Sequence, residues 1–489
     1  MYPPGQQMTV RDGGIGPASA SSKLPLVVGY ATGGAANKLY VFTNPNTARD
    51  TLLSGPALEL AAPIAARGGV MVLVTAATTA GSCGTVTKSP VSTSTGTITV
   101  AGVPANIWKV RIKITLTGTT GTGKFMYSLD GYSNTDANTW SPEYTIPQAG
   151  TFPIPGTALT LTFVPGAGPI IFEAGDTHRF DCIAPHYTTA DLTAAFQALP
   201  DQLGTRRVRR VLMAGIGQTA TAQAVLWAAL AGHLDVLALN WSFARAVIDG
   251  GSVDTLSAFK TAKAAFTDDR VLVVWGRASI VSEVPIPGCG TLELPASNAV
   301  AERASYSDLS ENLGRFLSGP LRGVTRITHN ERFLVSFTDA DRIGTLKTHD
   351  GEGGFFVTNG YISSSPSSDF KFFDWGLVLD EISETVHDAL NQWTLESLDA
   401  KTDGTGQLDD ADAERVQSSV QIPLHARIMD PPNKSGTKGH CSDVTFTVDK
   451  TTDFLTTGEI YGYVLAVPRR PVEDMITQVG FVRRLASAS

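Results

Sequence analysis

The first stretch of the sequence that could do chemistry is AGIGQTATAQ, which follows a predicted strand. Gly215 and Gly217 would let backbone amides approach a phosphate at a helix N-terminus. A dinucleotide-binding loop needs a third glycine three positions beyond Gly217, and Ala220 stands there. The incomplete pattern favours a tight turn, and a nucleotide-dependent α/β enzyme with a β-sandwich accessory domain is the alternative hypothesis.

A second stretch, THRFDCIAPHY, has the spacing of metal ligands on one face of a helix. His178, Cys182 and His186 recur at intervals of four residues. Pro185 and the strand-like alternation of the stretch argue against a helix. We therefore interpret the three side chains as core and loop residues and predict no metal site.

The third stretch, DAKTDGTGQLDD, begins at Asp399 and resembles a calcium-binding loop in the spacing of its acidic residues. Lys401 occupies a ligand position, and calcium prefers a bidentate glutamate at the end of the loop. We interpret the stretch as a solvated acidic loop. The sequence contains no GxSxG, HExxH or Walker pattern and no Ser-His-Asp order, so we predict a protein that is not an enzyme and has no cofactor.

The composition bounds the class of protein. The 489 residues are 42% hydrophobic and 17% charged, enough apolar content for a large core and little charge for a surface that faces only water. The net charge of -8 argues against direct nucleic-acid binding, which needs a concentrated basic face. The N-terminus has no signal-peptide pattern, and no uninterrupted apolar run reaches the roughly 18 residues that span a bilayer, so we predict no membrane insertion.

Four cysteines lie far apart in the sequence: Cys83, Cys182, Cys289 and Cys441. None forms a CxxC pair, so the spacing indicates neither a disulfide framework nor a zinc site. We predict a protein of a reducing cytoplasm with free thiols.

The elements that would position any site fall into several regions. Alternating strands and helices over residues 23–82 and 176–300 predict an open α/β sheet domain, with Thr188 or Thr189 as the cap of one helix and a strand in DVLALNW. Residues 83–175 are rich in Thr, Ser, Gly and Pro, and their period-two segments between turns predict an inserted antiparallel β-sandwich. Residues 301–477 have mixed α+β character, and residues 1–22 are a Gly, Pro and Ser-rich arm.

Aromatic residues in the inserted segment offer a further hypothesis, a host-surface or carbohydrate-binding module. These residues are Trp108, Tyr127, Tyr132, Trp140 and Tyr144. Aromatic side chains in a small sandwich more often fill its core, which is the interpretation that we favour.

Several segments, taken in order, resemble the contractile tail sheath protein of bacteriophages and related contractile injection systems. They are LPLVVGYATGGAANKLYVFTNPNTARDTL, AARGGVMVLVTAA, DDRVLVVWGR, ELPASNAVAERASYSD and the C-terminal GEIYGYVLAVPRRPVEDMITQVGFV. The resemblance covers most of the chain outside the inserted β domain. It implies a structural subunit in which residues 301–477 form a tube-facing C-terminal domain and residues 478–489 form a C-terminal arm.

The resemblance also implies partners and a mechanism. Copies would form hexameric rings stacked helically around a tail tube protein, between baseplate and tail terminator proteins, in a virion tail assembled in the host cytoplasm. Arms of neighbouring subunits would add strands to the tube-facing domain, and contraction would drive the tube through the host envelope while the arms stay paired.

This mechanism assigns residues to three roles. The donated strands would be Met8, Thr9, Val10 and Arg11 in one arm and Ile476, Gln478, Val479, Phe481 and Val482 in the other. The acceptor strand would carry Ile460, Tyr461, Tyr463, Leu465 and Val467. The hinges would be Gly13, Gly14, Pro468 and Pro471. A hairpin closed within one subunit is the alternative interpretation of the C-terminal strands.

Overall fold

A computed structural model describes residues 23–89, 94–130, 139–167, 171–204, 206–251, 255–333, 337, 341–368, 370–394, 396–429 and 439–469. The chain divides between His387 and Asp388 into two compact units. Together they form a mixed α/β structure with several sheets. Both predicted arms lie outside the described residues.

The first unit begins with a strand–helix–strand pattern. Its elements are β1 (Leu26–Gly29), β2 (Lys38–Phe42), α1 (Pro45–Leu52), α2 (Pro56–Ala65) and β3 (Val70–Val74). Strands β1 and β3 are buried along their whole length, as expected for central parallel strands that are covered on both faces. Helix α1 starts where the Asn44 side chain accepts a hydrogen bond from the Asn46 amide.

Antiparallel strands follow over residues 82–183, which extend past both ends of the segment 83–175 that the sequence predicted as the insertion. They are β4 (Ser82–Cys83), β5 (Thr87–Lys88), β6 (Thr97–Ala101), β7 (Lys109–Leu116), β8 (Lys124–Ser128), β9 (Tyr144–Thr145), β10 (Thr151–Ile154), β11 (Leu159–Val164) and β12 (Thr177–Ile183). One sheet has the order β10-β11-β6 and the other β4-β12-β7-β8-β9, with β5 also paired to β12. Trp108, Tyr127 and Phe163 lie in their shared core. The inward-facing residues of β7 and β11 alternate with less buried ones, as sandwich strands require.

The α/β pattern then resumes. Its elements are α3 (Thr189–Leu203), β13 (Arg210–Met213), α4 (Ala220–Leu239), β14 (Arg245–Asp249), α5 (Leu256–Ala264) and β15 (Val271–Val274). The resulting sheet has the order β15-β14-β13-β1-β3-β2, in which only β2 runs antiparallel to its neighbour. Thr188 caps α3 in a reciprocal box with Asp191, which confirms one of the two predicted caps.

Helix α4 corrects the strand predicted in DVLALNW. The helix continues to Leu239, and the next strand is β14. Leu230, Leu234 and Leu237 keep one helical face in the core, so tertiary packing overrides the β-prone composition of the segment. Among the described residues, α4 is the helix whose length and apolar composition would allow a membrane crossing.

The remainder of the first unit adds smaller elements around this sheet. They are β16 (Arg277–Val281), β17 (Thr291–Pro295), α6 (Ala296–Tyr306), β18 (Val324–Ile327), β19 (Leu346–Lys347), β20 (Phe356–Val357) and α7 (Phe373–Leu390), the last of which runs across the division between the units. Strands β17, β16 and β18 form one small antiparallel sheet, and β19 pairs with β20.

Helix α7 carries buried carboxylates that face cations from distant parts of the first unit. Asp380 accepts two hydrogen bonds from Arg245, at 2.9 Å and 3.1 Å. Glu381 and Glu384 pair with Lys23 at 2.7 Å and 2.8 Å, and Glu381 also pairs with Arg209. The segment before β1, the sheet and α7 are therefore joined by charged contacts with little solvent access.

One buried carboxylate joins the inserted segment to the rest of the first unit. Glu59 of α2 accepts hydrogen bonds from Asn106 at 3.0 Å, from Ser282 at 3.1 Å and from the Glu283 amide at 2.7 Å. Desolvation raises the pKa of Glu59 to about 7, although these hydrogen bonds act in the opposite direction. The bonds fix the inserted segment relative to α2.

Strands β4 and β12 correct the prediction of free thiols. Cys83 and Cys182 stand opposite each other in this antiparallel pair and form a disulfide across a sequence separation of 99 residues. The sequence spacing could not indicate this pairing, because the pairing depends on the register of two strands that are far apart in the sequence. Cys289 and Cys441 are free thiols.

Replacing both Cys83 and Cys182 by serine is expected to lower the free energy of unfolding by about 2–4 kcal/mol, because the disulfide restricts the unfolded chain. Calorimetry with and without a reductant measures the effect. Reductant should lower the transition temperature of the wild-type protein and leave that of the double variant unchanged. A titration that finds four free thiols in the unreduced protein would contradict the disulfide.

Over its described residues, the second unit contains, after the end of α7, two α-helices and a strand pair, with a 3-10 turn at Asn391–Trp393 and a π-helical turn at His425–Met429. They are α8 (Asp410–Leu424), β21 (Cys441–Val448), α9 (Phe454–Thr457) and β22 (Gly462–Pro468). The Asp409 side chain accepts from the Ala411 amide and caps α8. Helix α8 packs on β21, and its Val416, Val420 and Leu424 form a buried stripe at a spacing of four residues.

Candidate functional site

The strand pair of the second unit is the candidate site. Strands β21 and β22 are antiparallel, with Val444 opposite Ala466, Phe446 opposite Val464 and Val448 opposite Gly462. Val444, Phe446 and Val448 are buried on the face that α8 covers. In the residues that the structure describes, α8 packs on β21 and so supports the pair on one face.

Hydrogen bonds from α8 fix which backbone groups of the ladder point outward. The Phe446 amide donates to Oε1 of Gln421 at 2.7 Å, and Nε2 of Gln421 donates to the Val444 carbonyl at 2.9 Å. Opposite residues of an antiparallel ladder exchange both of their hydrogen bonds or neither. Because Phe446 and Val444 bond to Gln421, their partners Val464 and Ala466 turn their own amides and carbonyls away from β21.

Strand β22 therefore has an open edge. In the part of the chain that the structure describes, β21 and β22 form a two-stranded sheet, and no third strand pairs with β22. The outward groups belong to Gly462, Val464 and Ala466, the residues opposite the buried row of β21. Such an edge is a template for a strand from another chain.

The exposed face of β22 carries a row of large apolar side chains. Tyr463, Leu465 and Val467 are 59%, 73% and 54% exposed. They alternate with Val464 and Ala466, so all three lie on the face away from α8. Exposed apolar side chains beside an unpaired strand edge are typical of a surface that becomes covered on association.

Three of the five residues predicted for the acceptor strand form this row. Ile460 and Tyr461 precede β22, and the Tyr461 carbonyl accepts from the Asp449 amide at 2.8 Å. Pro468, a predicted hinge, is the last residue of β22. Both predicted donor segments and the other hinges, Gly13, Gly14 and Pro471, lie outside the described residues.

A signal that sequence reasoning missed is the pair of glutamines on α8. Gln417 and Gln421 are four residues apart, and the Val448 amide also donates to Oε1 of Gln417 at 3.4 Å. The spacing is visible in the sequence, but its role depends on the packing of α8 beside β21.

The glycine loop of the first unit fits a tight turn better than a phosphate site. The Gly215 amide already donates to Oδ1 of Asn298 at 2.9 Å. A Cβ placed on Gly215 would lie 2.7 Å from Cγ of Pro295, so the backbone is in close contact with protein on this side. The Thr219 side chain caps α4 by accepting from the Ala222 amide. The Gly215 and Ala222 amides are therefore already bonded within the protein and are not available to a phosphate.

The stretch with metal-like spacing and the acidic loop have structural roles. His178 and Cys182 lie on the buried face of β12, Cys182 is in the disulfide, and burial lowers the pKa of His178 to about 4. In the acidic loop, Asp403 accepts from Thr405. Over the described ranges, no group of three or more His, Cys, Asp and Glu side chains could hold a metal ion.

The aromatic residues of the inserted segment lie mainly in its core. Trp108 and Tyr127 are fully buried, and Tyr144 stacks on Tyr127 with ring centroids 5.9 Å apart. Trp140 is half-buried, and Tyr132 lies outside the described residues. This arrangement favours sandwich packing over an exposed carbohydrate platform.

No protein-family model matches the sequence, and no curated protein matches it. Among solved structures, the chain is similar to the sheath tail protein from Listeria innocua, with 10% identity and a TM-score of 0.43 over 91% of this chain and 95% of that chain. It is similar to a chain of the six-fold symmetrised anti-feeding prophage baseplate, with 16% identity and a TM-score of 0.41 over 60% of this chain and 74% of that chain. It is also similar to a chain of the anti-feeding prophage baseplate in its contracted state, with 12% identity and a TM-score of 0.43 over 60% of this chain and 76% of that chain.

Proposed function

We propose that this chain is the structural subunit of a contractile tail sheath and that it assembles by strand addition at the open edge of β22. The observation that carries the proposal is that, within the described part of the chain, β22 combines unpaired outward backbone groups with an exposed apolar row, while α8 packs on its partner strand β21. The sequence segments that resemble sheath proteins support the same assignment.

Strand addition at β22 is favourable for two physical reasons. An incoming strand would satisfy the outward amides and carbonyls of Gly462, Val464 and Ala466 through backbone hydrogen bonds. Its side chains would also cover Tyr463, Leu465 and Val467, and full burial of such a side chain contributes about 1.5–3 kcal/mol. Ordering a short arm costs conformational entropy. The free energy gained by burial and hydrogen bonding offsets this cost only when several residue pairs form between the two strands.

The donated strands are the arms of neighbouring copies. In the donated C-terminal segment, Ile476, Val479 and Phe481 do not keep a perfect period of two because Gly480 intervenes, which would suit a bulge. Gln478 and Val482 complete the predicted strand. The residues Met8 to Arg11 are the corresponding strand of the N-terminal arm. A contact between two different surfaces repeats without closing a dimer, so it builds a helix of subunits.

The proposed assembled state combines strand addition at β22 with the resemblance of the sequence to contractile tail sheath proteins. Hexameric rings stack helically around a tail tube protein, and baseplate and tail terminator proteins bound the stack, in a virion tail assembled in the host cytoplasm. Residues 23–82 and 176–300 form the α/β domain, residues 83–175 the outer sandwich, and residues 301–477 the tube-facing domain. Gly13, Gly14, Pro468 and Pro471 absorb the movement of the subunits while the arms stay paired.

Deleting residues 478–489 is expected to leave a folded monomer that forms no long tubes, because the donated C-terminal strand is lost. Negative-stain microscopy and light scattering report the assembly, and circular dichroism reports the fold. The matched control removes only residues 485–489, beyond the predicted strand, and should assemble as the wild-type protein does. Tubes of normal length from the longer deletion would refute donation by this arm.

A further inference from the structure

The second edge of the same strand pair is closed by side chains. Strand β21 is also a border of the sheet, yet Gln421 bonds to both the Phe446 amide and the Val444 carbonyl, at 2.7 Å and 2.9 Å. Gln417 accepts from the Val448 amide at 3.4 Å. Three of the outward backbone groups of β21 are therefore already bonded within the same unit.

The two glutamine side chains form the hydrogen bonds with β21 that the backbone of an additional strand would form. A glutamine side chain ends in an amide, with the same acceptor and donor groups as a peptide bond. Residues four apart on a helix advance by about 6 Å, and residues two apart on a strand by about 6.8 Å. The spacings nearly match, so Gln417 and Gln421 face alternate residues of β21, and the small mismatch agrees with the longer bond at Val448.

Resting on the proposed function, we infer that Gln417 and Gln421 determine the side on which strands add. They close the β21 edge, so an arm from another copy pairs only with β22. When two arms bind one hairpin, both donated strands therefore lie on the β22 side of the sheet. Neither of them pairs with β21. An unprotected edge at β21 could pair with strands of further chains and make the assembly branch. Addition at β22 alone prevents this branching.

The closed edge is tested in a background in which β22 cannot accept a strand. Val464→Pro removes the central one of the three outward amides of β22, and the full-length variant should be a monomer. Adding Gln417→Ala and Gln421→Ala should restore self-association through the opened β21 edge, measured by light scattering. The control adds Gln392→Ala, an exposed glutamine of the same unit that bonds to the Ala389 carbonyl, and should stay monomeric.

Each outcome separates the two proposals. If Val464→Pro alone still assembles, addition at β22 and the proposed function fail. If Val464→Pro is monomeric and the triple variant is also a folded monomer, the closed-edge inference fails and the proposed function stands.

Hydrogen exchange in the Val464→Pro variant gives an independent readout in a chain that keeps both glutamines. The Phe446 and Val448 amides should exchange at least about tenfold more slowly than the outward amide of Gly462, because bonded amides are protected. Equal exchange rates would overturn the inference, whether or not the triple variant folds.

Discussion

Replacing Val464 by proline is expected to abolish assembly and leave the chain folded. The Val464 amide points to the open edge of β22, because its partner Phe446 bonds to Gln421. Proline lacks this donor but removes no hydrogen bond between β21 and β22, and proline is tolerated on the solvent side of border strands. The effect on tubes should be all-or-none, since every copy in the helix needs the same contact.

Val464→Ala is the matched control, because it shortens the half-buried side chain and keeps the amide. It should form tubes of normal width in negative stain, while Val464→Pro gives single particles with the circular dichroism spectrum of the wild-type protein. Long tubes from Val464→Pro would show that β22 is not the acceptor.

Replacing Asp380 by alanine is expected to lower the free energy of unfolding by about 3–5 kcal/mol. Asp380 and Arg245 are both buried and share two hydrogen bonds. Burial raises the pKa of Asp380, although Arg245 opposes the rise. Removing the carboxylate nevertheless leaves a buried guanidinium without its counterion, and that is the large cost.

Urea denaturation measures this effect against an exposed pair. Asp350 pairs with Arg332, and its side chain is 89% exposed, so Asp350→Ala should change the free energy of unfolding by less than about 1 kcal/mol. Adding Arg245→Met to Asp380→Ala should recover part of the stability, because it removes the unpaired charge. Equal effects of Asp380→Ala and Asp350→Ala would contradict the buried-pair account.

Local patterns in the sequence predicted the features that depend on neighbouring residues. The cap at Thr188 follows from residue type at the start of a helical pattern, and the structure has it. The structure also places Tyr463, Leu465 and Val467 on an exposed face of β22, and their role as an acceptor stays a prediction. The strand predicted in DVLALNW failed, because core contacts of Leu234 and Leu237 extend α4 through it.

Features that depend on distant partners could not be read from the sequence. The disulfide needs β4 and β12 in one register, and the closed edge needs α8 beside β21. The open edge also depends on such partners: the sequence predicted an acceptor strand, but the bonds of Gln421 are needed to show which of its amides face outward.

The most direct test of the central claim is hydrogen exchange at the outward amides of β22 in the dissociated and assembled full-length chain. We predict fast exchange at Gly462, Val464 and Ala466 in the dissociated chain and slow exchange after assembly, because a strand from another copy then bonds to them. Slow exchange already in the dissociated chain, or exchange that assembly leaves unchanged, would contradict strand addition between copies at this edge.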